Sequence, residues 1–288
     1  QSNFIVKLLD GTTLAGSSIA SNRDPRISHM LSASQDTTNG NGGYRGVDPA
    51  LGDPYSGLTG NYAVGSTNWI NARKRVAVLW GDSLYANPSS AVFNSNAGKF
   101  LFKDRAVMPV MTYAEILFIK AEAAFRKGDK GTAYTAYKAG INAHFDFINR
   151  NYASIYRGGP QNLYNTALIS TAARNAYLAS PNVKPDANTL TLTDIMLQKY
   201  IALWGWGWVE TWTDLRRFHY TDLDPVTGLQ VYKNFNLPTS YYPDNLNKPA
   251  YRFRPRYNSE YVWNLDELKR FGGEKADYHT YEMWFSQP

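Results

Sequence analysis

The sequence predicts a mainly α-helical protein interrupted by long irregular loops. Three observations carry that reading. Thr112-Tyr113-Ala114-Glu115 opens an apolar run to Phe125, with a hydroxyl at the cap and a carboxylate three residues later, the form of a capping box. Tyr200, Trp204, Trp208 and Trp212 recur at steps of four, which at 3.6 residues per turn draws one slowly drifting stripe along a helix. Glycine and proline crowd into two stretches, within the first hundred residues and from Asp222 to Arg256, where neither helical nor strand periodicity survives.

Taken in order, the first hundred residues read as loops with short extended pieces. Gly40, Gly42, Gly43, Gly46, Gly52, Gly57, Gly60 and Gly65 punctuate Tyr44, Tyr55, Tyr62 and Trp69, with Asp48-Pro49 and Asp53-Pro54 as turn signals. Arg75 to Trp80 has the composition of a short strand. So long an irregular stretch is uncommon and more often functional than a short one, and its aromatic density argues against disorder. From Thr112 a helix runs through Phe125 with apolar residues on most sides, so it should lie deep, and Gly128 should stop it. Asp129 begins a second helix carrying Ala133, Tyr137, Ala139 and Ile141, expected to end near Asn149. This pair, with small residues at its crossing, resembles one tetratricopeptide-type unit. A single such unit cannot bury both its faces and needs companions. A third helix is expected over Asn165 to Leu178, ended by Ser180-Pro181. Thr193 or Asp194 should cap a fourth, tryptophan-rich helix that runs on through Arg217. After the loop punctuated by Pro225, Pro238, Pro243, Pro249 and Pro255, a last short helix is expected over Ser259 to Phe271, before Gly272-Gly273.

Composition narrows the function. The chain has 288 residues, enough for one large domain with a sizeable core. Aromatic residues make up 15%, an excess that suits proteins stacking on sugar rings or holding peptides, although such rings also fill wide gaps between helices. The net charge is +6, but the basic residues are scattered, Arg73-Lys74-Arg75 being the one dense run. No nucleic-acid-binding motif accompanies it, so a solvated face is expected and no nucleic-acid partner. The absence of cysteine excludes disulfides and thiolate metal sites. No stretch reaches the roughly 18 apolar residues of a membrane-spanning helix. The start, Gln1-Ser2-Asn3-Phe4-Ile5-Val6, lacks the parts of a signal peptide. Either the protein begins here, or a front portion bearing a targeting signal is not represented.

Four blocks, in order, resemble the SusD/RagB family of nutrient-binding outer-membrane lipoproteins: Asp24-Pro25-Arg26-Ile27, Met111 to Ala123, the aromatic helix from Gln198 to the Asp214-Leu215-Arg216-Arg217 ending, and Arg252-Phe253-Arg254-Pro255-Arg256-Tyr257-Asn258-Ser259-Glu260 followed by Asn264. In the last block no proline follows Tyr257, a departure from the family's pattern. The resemblance implies a single SusD-like domain over 1–288, matching roughly the C-terminal part of a longer chain, with 1–110 as a loop-rich ligand-side region and 111–288 as a helical core with loops. It also implies capture of an oligosaccharide, or alternatively an oligopeptide, and delivery to a SusC-like TonB-dependent barrel transporter. A lipid anchor outside this sequence would hold the protein on the extracellular face of the outer membrane.

The chemistry-bearing residues agree with binding better than with catalysis. Arginines and acids around aromatic helices read as an internal ion-pair network, because unpaired buried charge is very costly. His29, His144, His219 and His279 are isolated, with no metal-ligand spacing, and no nucleophile elbow or phosphate loop is present. No cofactor is expected. Glycoside hydrolysis needs only two carboxylates about 5–10 Å apart, for which Glu210 and Asp214 are the nearest pair, but their arginine neighbours favour two ionised acids and no general acid. Sugar rings stack on Trp or Tyr while loop amides and carboxylates read hydroxyls. The expected ligand-binding residues are therefore the aromatics of the glycine-rich region, Tyr44, Tyr62, Trp69 and Trp80, each of which also reads as a loop anchor. Trp204 to Trp212 are expected in the core. A helical-repeat scaffold without a small ligand is the other reading.

Overall fold

A computed structural model describes residues 1–34, 36–38, 40–48, 63, 65–75, 101, 108–153, 168–254 and 257–287. Among the described residues the fold is mainly helical, as the periodicity predicts. Pairing of extended segments is confined there to two isolated bridges, Ser2 with Val47 and Leu223 with Gln230. The helices are α1 (Asn3–Leu9), α2 (Ile27–Met30), α3 (Thr67–Lys74), α4 (Tyr113–Arg126), α5 (Lys130–Ala153), α6 (Thr171–Leu178), α7 (Leu192–Leu203), α8 (Trp208–Arg217) and α9 (Leu265–Arg270).

The centre is a hairpin of α4 and α5 with α7 laid against it. Thr112 caps α4 by accepting from the Glu115 amide at 3.2 Å. Ala114, Glu115, Leu117, Phe118, Ala121 and Glu122 form its buried face, and the chain turns at Gly128 into α5. At the crossing a side chain on Gly140 would come within 2.9 Å of the Phe118 ring, so the glycine is what lets ring and backbone touch. Helix α5 continues to Ala153, past the expected end at Asn149. Asn149 does not cap it: its side chain binds both the amide and the carbonyl of Ile169, each at 3.0 Å. Ser170 accepts from the Ala173 amide, so α6 begins at Thr171 and not at Asn165, and residues 165–167 lie outside the described chain.

The largest departure concerns the tryptophan-rich segment. Its cap is Thr191, two positions before Thr193, and Asp194 closes a reciprocal capping box with it. From Leu192 to Lys199 every residue of α7 is buried. The helix then ends at Leu203. Gly205 adopts φ +92°, a conformation that costs glycine nothing, and α8 starts afresh at Trp208. The expected continuous helix to Arg217 is thus two helices, because steps of four between tryptophans say nothing about the glycines among them.

The first thirty residues also differ from a loop. Ile5, Leu8 and Leu9 recur at helical spacing and lie fully buried in the core, so α1 forms although a seven-residue helix has little stability alone. Segment 44–48 lies along it, with Asn3 N donating to Val47 O at 3.0 Å. The expected strand at Arg75 to Trp80 falls outside the described residues after Arg75. At the other end, the helix expected over Ser259 to Phe271 is a π-helical turn, Ser259–Trp263, followed by α9, and Ala276–Thr280 forms a 3-10 turn. One core cluster draws on residues from Phe4 to Tyr251.

Candidate functional site

Many of the charged residues singled out by sequence pair with one another inside the protein. Asp24 and Arg26 are both 0% exposed. The Arg26 guanidinium donates from Nη2 to Asp24 Oδ2 at 2.6 Å, to the Tyr177 hydroxyl at 3.1 Å and to Gln198 Oε1 at 3.0 Å. Its Nη1 lies 2.9 Å from His144 Nδ1. Arginine is only a donor, so Nδ1 accepts and the histidine proton sits on Nε2. Burial and the adjacent guanidinium hold the His144 pKa well below the ordinary histidine value. Burial opposes ionisation of Arg26, but the Asp24 charge overrides it and raises the Arg26 pKa. The DPR block therefore acts as a structural staple.

A second network joins α4, α7 and α8. Lys199 meets Asp214 at 2.6 Å, Arg217 meets Asp214 at 2.7 Å and Glu122 at 2.6 Å, and Arg126 adds to Glu122 at 2.9 Å. Burial pushes the Glu122 pKa upward, yet the bond and charge of Arg217 prevail and hold it below the ordinary glutamate value. Of the carboxylate pair considered for hydrolysis, Asp214 is committed to this network, and Glu210 stands exposed on α8.

The expected ligand residues are dispersed in what the structure describes. Tyr44 is half-buried against the core with the Arg23 guanidinium 6.0 Å from its ring centroid. Trp69 sits on α3 at 9% exposure, so it presents little ring to solvent. Tyr62 and Trp80 lie outside the described residues. The tryptophan stripe is not wholly core: Trp204 and Trp212 are partly buried, but Trp208 is 67% exposed because the break at Gly205 turns the start of α8 outward.

Two clefts stand out on the described surface. One, of about 710 Å³, lies against α5 and is lined by Pro109, Met111, Tyr113, Ala139, Ala143 and Phe147. Of its polar members, Thr112 caps α4, Asn142 and Asp146 are bound by Arg174 at 2.6 and 2.7 Å, and Arg150 completes the lining. The other, of about 570 Å³, is lined by Tyr242, Asp244, Asn245, Arg254, Asn258, Tyr261, Ala276 and His279. Here two rings and a set of hydrogen-bonding side chains converge, as in a site for a polar, ring-bearing ligand.

Local structure fixes this second cleft. Pro243 presets the backbone of the 3-10 turn Pro243–Asn245, which presents Tyr242 at 71% exposure. The π-helical turn carries Tyr261, 38% exposed. Segment 251–254 is tied to the Ala276–Thr280 turn: Tyr251 N donates to His279 O at 2.7 Å, and His279 Nδ1 donates to Arg252 O at 3.0 Å. That bond fixes the tautomer of a neutral His279, leaving Nε2 as an acceptor. Arg252 stacks 3.8 Å over Tyr278, and Arg254 Nη2 donates to the carbonyls of Lys275 and Ala276. Asp244 is the one carboxylate among the lining residues, so the paired acids of glycoside hydrolysis are not assembled here. Among the described residues no cluster of three or more His, Asp or Glu could hold a metal, and no helix is long and apolar enough to cross a membrane. Sequence reading missed this cleft because its residues lie in a proline-punctuated loop and a block taken as structural. The available signal was Tyr241-Tyr242-Pro243-Asp244-Asn245, an aromatic pair followed by polar turn residues.

A family model described as SusD-like, starch-binding and associating with the outer membrane, matches residues 16–243. No curated protein matches, and no solved structure matches. The match takes in the Asp24–Arg26 staple and the network of α4, α7 and α8, and it ends at Pro243 on the rim of the polar cleft. Covering most of the 288 residues, it establishes that the chain belongs to the SusD-like family of starch-binding proteins associated with the outer membrane.

Proposed function

We propose that this protein captures nutrient oligomers, glycans in preference to peptides, at the cell surface and hands them uncleaved to a SusC-like TonB-dependent barrel transporter. A lipid anchor outside the present sequence holds it on the extracellular face of the outer membrane. The observation that carries the glycan reading is the polar cleft, where the exposed rings of Tyr242 and Tyr261 accompany Asp244, Asn245, Asn258 and His279. Rings take the C–H face of a sugar and the polar groups take its hydroxyls. The family description supports the same class of ligand. Tyr44, Tyr62, Trp69 and Trp80 of the 1–110 region remain the alternative ligand contact in this reading, which the variants below separate from the cleft.

Isothermal titration against a glycan panel, with a peptide panel alongside, tests the reading. Tyr242→Ala and Tyr261→Ala each weaken glycan binding at least tenfold, about 1.4 kcal/mol. Unchanged affinity in both rejects the cleft, and loss in Tyr62→Ala and Trp69→Ala instead moves the site to the first hundred residues. Binding of peptides alone rejects the glycan preference. Gentle extraction from the native membrane followed by mass spectrometry tests the delivery step, which requires a barrel transporter in stoichiometric amount.

A further inference from the structure

We propose that the polar cleft takes an acidic sugar unit, with Arg254 reading its carboxylate. This rests on the glycan-capture reading above and narrows it to a class of glycan. Among the described residues Arg254 hydrogen-bonds through Nη2, to the backbone carbonyls of Lys275 and Ala276. These fix the guanidinium in place without neutralising it. Its Nε is buried with no partner, and among the described residues no carboxylate pairs with it. Arg26, Arg126, Arg174 and Arg217 each meet an acid within 3.0 Å, whereas Arg254, like Arg23, Arg216 and Arg252, meets none among the described residues, and of these four it is the one that lines the polar cleft. A positive charge that faces no acid among the described residues is thus held at the wall of a ligand-sized cleft, where a carboxylate could supply the missing counter-charge.

The other lining groups match the rest of a uronic acid unit. Tyr242 and Tyr261 offer ring faces to its C–H surface, and Asn245, Asn258 and His279 Nε2 offer partners to its hydroxyls. A neutral hexose would use the same rings and amides but would cover the guanidinium without supplying a counter-charge, which is unfavourable. A carboxylate on the sugar edge supplies one, and arginine–carboxylate bonds are stronger than those between neutral groups. The net charge of +6 adds a weak attraction for a polyanionic chain. Asp244 works the other way. It pairs with no cation among the described residues, so its charge subtracts from the attraction and provides a second experimental handle.

The experiment is calorimetric titration of the whole chain with an oligogalacturonate, its methyl ester and a malto-oligosaccharide of equal length. The acid binds at least tenfold more tightly than its methyl ester, a difference of about 1.4 kcal/mol. Arg254→Gln abolishes that preference, Arg254→Lys retains part of it, and Tyr242→Ala weakens acid and ester alike. Asp244→Asn strengthens binding of the acid and leaves the ester unchanged. Equal binding of acid, ester and malto-oligosaccharide overturns the acidic preference while leaving glycan capture standing. No binding of any of the three overturns this inference, and loss of the wider panel as well overturns the capture reading. Binding of acidic peptides in place of all three sugars overturns both.

Discussion

Replacing Arg26 with methionine isolates the contribution of the first buried network. The guanidinium is wholly inaccessible and bonds to Asp24, Tyr177, Gln198 and His144. Methionine fills much of the volume between the Phe145 and Tyr177 rings, whose centroids lie 4.7 and 5.1 Å from Cζ. It leaves Asp24 inaccessible as well, with the Arg26 amide still donating to Oδ1 at 2.8 Å and the Tyr177 hydroxyl beside it, but no counter-charge. Deleting one partner of a buried ion pair costs about 3–5 kcal/mol. With an unfolding entropy of about 2.1 cal/mol/K per residue, the melting temperature falls by roughly 5–8 °C for a chain of this length. Scanning calorimetry at neutral pH reads this directly. An Asp24→Leu, Arg26→Met double variant leaves no charge behind and recovers part of the loss. A fall below about 2 °C in the single variant, or a double variant no more stable than the single, refutes the reasoning.

Other perturbations have equally definite outcomes. Gly205→Ala forces a side chain into a left-handed backbone and destabilises by about 1–2 kcal/mol, measured by urea unfolding; a neutral result would mean that the break between α7 and α8 is not held by this residue. Glu122, with its folded pKa lowered, contributes stability that is full above the ordinary glutamate value of about 4.3 and is lost as pH falls through the folded value. Glu122→Gln therefore flattens the acid limb of a melting curve against pH. His219 behaves oppositely: bonded to Asp222 at 2.7 Å, its pKa is raised, so its contribution is full below about 6.5 and fades as pH rises through the folded value. A proton NMR titration giving His219 an apparent pKa below 6.5 contradicts that.

Periodicity and capping chemistry made the central hairpin legible. Thr112, Gly128 and Asp129 act locally, and their effect on the chain depends little on what packs nearby. Helix α1 was not legible in the same way, because seven residues form a helix only once Ile5, Leu8 and Leu9 are covered by the rest of the core. The ion pairs were readable as a class, but their partners were not: Glu122 and Arg217 are distant in sequence and meet because α4 and α8 both pack against α7. The polar cleft was least legible. Tyr242, Arg254 and His279 come from three irregular segments, the last two joined by backbone bonds, and no periodicity records such a meeting.

The reach of Arg26 along the chain bears on how the protein folds. Its bonds to His144, Tyr177 and Gln198 span 118, 151 and 172 residues. The α4–α5 hairpin closes through neighbours in sequence and can form early, whereas the guanidinium keeps its hydration until all four segments have arrived. The network therefore belongs to the late side of the folding barrier. Weakening it should quicken unfolding and leave the refolding rate nearly unchanged, so the DPR block governs how long the folded protein lasts more than how quickly it is made.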